Sequence, residues 1–593
     1  MVDCHVKFHE DQKVLSTKRQ KTERTGVARL LLAVGIRRQL TVVAALVLSG
    51  LAEGFGLASL LPVVALVSKD PRAGESTVSR FVVAALARVG LPATLGVLLI
   101  VVVAALIVKS ALRLFAMSYV GYAVVEVVTG LQSSLLENLL GARWAYFTRQ
   151  PVGRFANAVS QETSRAGEAY FASIQVIGAA IEGTVYVGLA FLISWKLALV
   201  SLIVGGAIAL VLSSLVRTGQ RAGRLQTRRS HELIVTLTDL LIAIKPIKAM
   251  ARHAQLGSVL ERKVGELKAA LRQQVLAKQA VQNLQEPLLV LFLAGALYLA
   301  LTLWSGSLGE LMVMGLLLAR TVAMTGQVQR YVQNAAIAES AYWSVRSLID
   351  EAGQNREPAG GTLRPKQAPT CRFEHVSFSY GLHSLLNDVS MVVPAGKITL
   401  ITGASGAGKT TVSDLLVGFY RPDSGRVLID DDSLDEIDLN AWRSVIGYVS
   451  QEVILFHDTV FNNLTLGDQS VDRERAQQAL EIAGAWEFIA AKPRQMDTIV
   501  GERGTMLSGG QRQRIAVARA LVHEPRFLIL DEATTGLDAA TAASFRSNII
   551  SLAGERTILV IAHDRMWTLC ADVVYSIHHG KIELVRWADA HAG

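Results

Sequence analysis

Apolar and polar positions follow two different rhythms along the chain, and the change falls near residue 370. Ahead of it, six apolar runs are long enough to cross a bilayer, which takes about 20 helical residues. They lie at roughly 40–68, 89–108, 170–195, 197–216, 287–304 and 308–329. Behind it the apolar runs shorten to strand length: Arg372–Phe378, Ile398–Thr402, Val427–Ile429, Ile446–Val449, Phe527–Leu530 and Thr557–Ala562. Helical-period segments separate them, which predicts an α/β unit.

The intervals between the long runs predict a topology. Little beyond Trp195-Lys196 separates the third and fourth, and Ser305-Gly306-Ser307 separates the fifth and sixth, so each pair reads as a tight hairpin. Residues 109–169 and 217–286 are instead long, polar and helix-rich, the second with a large excess of Lys and Arg. Such an excess marks the cytosolic side, which places both segments and both chain termini in the cytosol. Lys69–Arg88 is left as a short outer loop. Residues 1–39 have no apolar core ahead of a cleavage site and read as a cytosolic segment. Within it, Val27–Ile36 is flanked by arginines and reads either as a helix lying along the inner membrane face or as a disordered tail. An amphipathic helix over about Gln327–Glu351 leads into a Gly/Pro/polar linker. The expected division is a cytosolic segment 1–39, a membrane domain 40–351, a linker 352–371 and an α/β domain 372–593.

Composition agrees with a membrane portion: of 593 residues 51% are hydrophobic and 18% charged, lean for a soluble protein. The net charge of +9 belongs to the front part, because residues 372–593 hold 20 basic and 28 acidic side chains. Since the bases sit between apolar runs, the expected partner is anionic membrane lipid and not nucleic acid. Cys4, Cys371 and Cys570 are too scattered for a disulfide framework or a zinc site.

The chemistry concentrates in the α/β part. Gly403-Ala404-Ser405-Gly406-Ala407-Gly408-Lys409-Thr410-Thr411 follows a strand and opens a helix, which is the phosphate-loop spacing in its required context. Glycines let the backbone turn its N–H groups toward phosphate, the helix adds its positive end, Lys409 reaches the β/γ phosphates, and Thr410 offers a hydroxyl to Mg²⁺. The strand Phe527–Leu530 ends in Asp531-Glu532. A carboxylate there suits the Mg²⁺ hydration shell, and its neighbour suits polarisation of the attacking water.

With Leu507-Ser508-Gly509-Gly510-Gln511 between these motifs, the chain resembles the ATP-binding cassette family. The resemblance extends to Tyr380 as the aromatic that stacks on adenine, Gln451 as the hinge glutamine and further Mg²⁺ ligand, Asp538 in Gly-Leu-Asp, and His563 as the switch histidine. It implies a dimer in which each ATP lies between the phosphate loop of one subunit and Ser508, Gly509, Gly510 and Gln511 of the other. It also implies that Glu532 is the general base, with Lys409 offsetting phosphate charge and His563 holding the γ-phosphate. Arg143–Phe147 with Pro151–Arg154, and Asp239–Lys248, look like the two coupling helices of exporter-type members, and Val500–Gly504 like the loop those members place beside them. Gly536 and Ser450 depart from the common alanine and proline.

The implied architecture is an α-helical membrane domain with long cytoplasmic extensions, followed by an α/β P-loop domain with a helical subdomain. The implied function is an ATP-hydrolysing exporter, homodimeric because both half-sites are complete, in a bacterial inner membrane. A flippase for lipids or lipid-linked glycans and an ATP-gated channel or regulator are the alternatives. A soluble cassette ATPase acting on nucleic acid conflicts with the six apolar runs.

Three charges stand inside those runs: Glu53, Glu182 and Arg320. At ~1.5 Å per residue each falls roughly 18–20 Å from its entry face. Intramembrane charges face a cavity or a partner. These three are expected to line the substrate path, with Arg320 pairing with a glutamate or meeting an anionic substrate, or else to form a fixed ion pair between helices.

Overall fold

The computed structural model describes residues 36–68, 77–193, 195–303, 308–358, 360–365, 368–381 and 383–587. The possible helix Val27–Ile36, apart from its last residue, and the Ser305-Gly306-Ser307 turn lie outside them. The chain divides into two compact units, one running to Arg356 and the other from Glu357, with Arg143–Ala145 grouped in the second.

In the first unit the apolar runs are parts of long helices: α1 (Ile36–Ala58) continued by α2 (Leu60–Ser68), α4 (Leu95–Leu140), α5 (Thr163–Ile193), α6 (Trp195–Ile242), α7 (His253–Leu303) and α8 (Leu308–Gln354). Among the described residues three stretches combine the length and apolarity needed to cross a membrane: Ile36–Val67, Leu95–Leu140 and Val152–Leu192. The first run is broken at Ser59, three residues before Pro62, whose missing N–H and ring disrupt the helical ladder. The outer loop expected over Lys69–Arg88 is partly helical: α3 (Thr77–Arg88) buries Val78, Val82 and Leu86, an i, i+4, i+8 stripe. Pro92 and the turn before it delay the second long helix to Leu95, and Lys109, which closes the apolar run in the sequence, lies well inside α4. The stretches compared with coupling helices contain the short helices Trp144–Phe147, Val152–Asn157 and Ile244–Ala249.

The second unit holds two sheets. β1 (Cys371–Tyr380), β2 (His383–Val393), β4 (Ser424–Ile429) and β5 (Asp432–Ser433) pair antiparallel in the order β2-β1-β4-β5. The larger sheet runs β10-β9-β3-β8-β7-β6, from β3 (Ile398–Gly403), β6 (Ile446–Val449), β7 (Phe527–Asp531), β8 (Thr557–Ile561), β9 (Val573–His578) and β10 (Lys581–Trp587). All its pairings are parallel except β9 with β10. Because successive strand residues point to opposite faces, this sheet feeds two cores. Leu528, Leu530, Ile558 and Val560 join the helices between Val460 and Leu521, the helical subdomain. Phe527, Ile529, Leu559 and Ile561 join the antiparallel sheet and the helix after the phosphate loop. The helix leading into the linker extends past Glu351 to Gln354, and within the linker Gly360 and Leu363 bridge to Asp438 and Ile437.

Candidate nucleotide site and intramembrane charges

The parallel strands deliver the chemistry of the second unit at their carboxyl ends, where such sheets place ligands. β3 ends in the phosphate loop and α9 (Lys409–Leu416) begins there. Gly403 runs so close to β9 that a Cβ would stand 2.5 Å from the Ile577 carbonyl oxygen, and Gly408 holds φ at +104°, where a side chain is strained. Lys409 is buried, and its ammonium donates to the carbonyls of Gly403 and Ala404 at 3.0 Å each. It also lies 3.1 Å from Nε2 of His563. Desolvation lowers the Lys409 pKa, against the raising effect of Glu532 and Asp531.

β7 ends at Asp531, whose Oδ2 accepts the Thr410 hydroxyl at 3.0 Å. Burial raises the pKa of this carboxyl. Glu532 next to it has φ +51°, a left-handed conformation that costs a non-glycine residue about 1–3 kcal/mol and tends to mark functional positions. Four contacts hold it there. Its N–H donates to Ile561 O at 2.8 Å, its carbonyl accepts from Gln513 Nε2 at 3.0 Å, and its Oε2 accepts from Gln451 Nε2 at 3.0 Å. Its Oε1 stands 3.4 Å from His563 Nε2. Lys409, Thr410, Gln451, Asp531, Glu532 and His563 therefore meet in one place, although they come from the carboxyl ends of four different strands, β3, β6, β7 and β8.

Ser508 caps α10 (Gly509–Leu521), its hydroxyl accepting from Gln511 N while the Gln511 side chain accepts from Ser508 N. The cap leaves Ser508 and Gly509 exposed. Asp538 caps the helix Ala539–Ile550 and accepts from Thr541 N and Oγ1, which lowers its pKa. Gly536 has φ +89°, a value that glycine adopts freely and the commoner alanine does not. Ser450 turns its hydroxyl to Glu452 O at 2.8 Å. Tyr380 ends β1 with 38% of its surface exposed. Two supports escaped sequence reasoning: Gln513, one turn into α10, and Asp414 on α9, which accepts the Tyr380 hydroxyl at 3.2 Å. Neither is marked by a motif of its own.

In the membrane unit Glu53 and Glu182 are both buried, at 1% and 2% exposure. Arg320 is exposed and, among the described residues, has no carboxylate partner. Glu53 pairs with Lys109 at 2.5 Å and Glu182 with Arg113 at 3.1 Å. The pairing expected of Arg320 with a glutamate is thus replaced by two pairs to α4, whose bases stand one turn apart. In the sequence Lys109 closes the second apolar run and reads with Arg113 as part of the polar segment that follows, which hides both bases from a search for intramembrane charge.

The ABC transporter family model matches residues 386–535, and the ABC transporter transmembrane region model matches residues 44–325. The ATP-dependent lipid A-core flippase of Burkholderia pseudomallei is 30% identical, with 77% of this chain and 78% of that protein aligned. The chain belongs to the ABC transporter family. The lipid A-core flippase of Photorhabdus laumondii is 28% identical over 81% of this transporter and 84% of its own length. The heterocyst differentiation ATP-binding protein HepA of Nostoc is 26% identical, covering 80% and 78%. A solved bacterial Atm1-family ABC exporter with ATP bound superposes with a TM-score of 0.76 at 23% identity, covering 92% of this transporter and 94% of that chain, which establishes the fold. The transporter thus joins a helical membrane domain to an α/β ATPase domain and couples ATP hydrolysis to transport.

Proposed function

We propose that this transporter works as a homodimeric exporter, in which ATP closes the nucleotide domains on each other and hydrolysis reopens them, so that the membrane halves alternate between inward and outward openings. The observation that supports the reading is that the residues expected of both halves of a site are present in one chain. Lys409, Thr410, Gln451, Asp531, Glu532 and His563 converge, and the capped end of α10 is exposed for a second copy. Glu532 would accept a proton from the water attacking the γ-phosphoryl group in line, while Lys409 and the loop N–H groups offset the phosphate charge. His563 would hold the γ-phosphate and orient Glu532. Tyr380 would carry the adenine, and Ser508, Gly509, Gly510 and Gln511 would close over the nucleotide of the partner subunit, with Asp538 near the same junction.

The residues fit Mg²⁺. Asp531 presents a buried carboxylate beside the Thr410 hydroxyl, and Gln451 uses its Nε2 on Glu532, leaving its oxygen without a hydrogen-bond partner among the described residues. One or two oxygen ligands, with substrate phosphates supplying the rest, is the usual Mg²⁺ arrangement. When bound, the ion would neutralise phosphate charge.

We read the membrane as a bacterial inner membrane with both termini cytosolic. Glu53, Glu182 and Arg320 are candidates for the substrate path, Arg320 being the cation left for an anionic group. A lipid flippase reading has its own support: an apolar cavity of about 510 Å³ lies between α1, α3 and α5, lined by Leu51, Phe55, Phe81, Val185 and Leu189 among others. The named relatives that are flippases act on lipid A-core. The deciding experiment is transport in sealed vesicles, comparing the parent with Glu532→Gln. A pump stops when hydrolysis stops, whereas conduction that continues in Glu532→Gln with ATP bound would make the protein a channel.

A further inference from the structure

Tyr380 is a ring at the end of a strand, more than a third exposed, and nothing in its own backbone fixes its direction. Three neighbours do. Its ring meets Phe378 edge-on at 4.9 Å and Tyr420 edge-on at 5.1 Å, and Phe378 and Tyr420 lie 5.4 Å apart, which closes an aromatic triangle. The third is the hydrogen bond from its hydroxyl to Oδ2 of Asp414.

Asp414 has no basic partner among the described residues, and the Tyr380 hydroxyl is the one hydrogen bond its side chain makes there. It is partly buried, and burial pushes its carboxyl up to about 6. A carboxylate held in from water without a counter-charge is costly. The cost would vanish if the side chain turned outward, yet it points at the phenol. Asp414 stands five residues after Lys409 on the helix that the phosphate loop opens. The hydrogen bond therefore ties the ring on β1 to the element that carries the phosphate site, two features that belong to different strands.

We propose that Asp414 is a positioning residue for the nucleotide base, holding the Tyr380 ring at a fixed distance and angle from the phosphate loop so that base and phosphates are met together. The inference rests on the reading of Tyr380 as the base platform. A platform fixed before binding spares the ordering cost that a free ring would incur on contact with ATP. The tether is felt only by ligands that carry a base.

The test uses the full chain in lipid nanodiscs, measuring KM for ATP, kcat, and competitive inhibition by tripolyphosphate, which has no base. Tyr380→Leu removes the platform and is expected to raise KM about tenfold or more, in line with the stacking of a base on an aromatic ring. Asp414→Leu removes the tether and leaves the ring, whereas Tyr380→Phe removes the tether together with the hydroxyl's contact to Thr411. Each is expected to raise KM about three- to tenfold, the worth of one hydrogen bond, with kcat at saturating ATP within about twofold. The two together should be no worse than Tyr380→Phe alone, and Asp414→Asn, which keeps an acceptor oxygen, should return KM toward the parent value. Tripolyphosphate inhibition should be unchanged throughout. If Tyr380→Leu raises KM while Tyr380→Phe and Asp414→Leu do not, the platform stands and the tether is refuted. If Tyr380→Leu itself leaves KM at the parent value, the platform reading fails and the tether with it. Additive effects of the two tether variants, or weaker tripolyphosphate inhibition in Asp414→Leu, would show a general role for Asp414 in the helix and overturn the proposal.

Discussion

Replacing Lys109 by methionine keeps most of the length of the side chain and deletes the charge that faces Glu53. The pair is close at 2.5 Å, with only 16% of the Lys109 side chain and 2% of the Glu53 side chain exposed. At an effective dielectric constant of about 20 their attraction is about 7 kcal/mol before desolvation. Removing one partner of a buried pair strands the other, and typically costs about 3–5 kcal/mol. For a domain of this size that is a fall in melting temperature on the order of 10 °C. Arg113→Met strands Glu182 in the same way, but 37% of the Arg113 side chain is exposed. That pair is less enclosed, so its loss should fall between the roughly 1 kcal/mol of an exposed pair and the roughly 3 kcal/mol at the low end for a buried one. Arg320→Met, which has no carboxylate partner among the described residues, should stay within about 0.5 kcal/mol. The measurement is the apparent melting temperature of the purified chain in nanodiscs, with Lys109→Met/Glu53→Gln as the fourth variant. The double change removes both charges and should recover most of what Lys109→Met loses. Equal melting of Lys109→Met and the parent, or a double variant no better than the single, would refute the assignment of this pair as a structural lock.

The remaining predictions concern the nucleotide domain and the membrane path. Glu532→Gln should keep ATP binding and cut steady-state hydrolysis by about 10²-fold or more, the scale of a lost general base; hydrolysis at the parent rate would remove Glu532 from that role. The Asp414 carboxyl holds its proton more tightly in the folded chain than the usual carboxylate. Its contribution to stability is therefore fully present below about pH 4 and is lost as pH rises through about 6. Asp414→Asn should consequently gain melting temperature relative to the parent between pH 4 and 7, and a difference that is flat over that range would contradict the shift. Arg320→Ala should abolish stimulation of the ATPase by an anionic substrate lipid while leaving the unstimulated rate, and stimulation that survives would take Arg320 off the substrate path.

The α/β half was legible because each of its chemical motifs is local. The phosphate loop, Asp531-Glu532 and the cap at Ser508 each need only a few consecutive residues to declare themselves, and the parallel strands beneath them are continuous apolar runs, as strands buried on both faces must be. What escaped was of two kinds. β2 and β9 lack the continuous apolar pattern of a buried strand: β2 is exposed at Ser384, Asn387 and Asp388, and β9 carries Tyr575 and Ser576 among its valines. Gln513 and Asp414 act through side chains whose targets lie on other elements, 19 and 34 residues away. No local pattern marks such a residue. Only the closure of the sheet brings donor and acceptor together.

In the membrane half the same contrast has a sharper cause. Hydropathy locates a buried charge well, because the cost of placing it in lipid interrupts an apolar run, and Glu53 and Glu182 were found in this way. It cannot say which base answers each carboxylate. Lys109 interrupts its run as Glu53 does, but it does so near the run's end, where a base is commonly a cytosolic anchor, and an apolar window placed to exclude it starts too early. The Gly90–Pro92 turn, by delaying α4 to Leu95, moves Lys109 about 14 residues into the helix, or roughly 21 Å along it. Its neighbour on the same face is then Arg113, and the two bases meet the two carboxylates that α1 and α5 bring from either side. A helix start misplaced by six residues thus turns a buried partner into a surface charge, and leaves Arg320 to be matched with glutamates that already have their counter-ions.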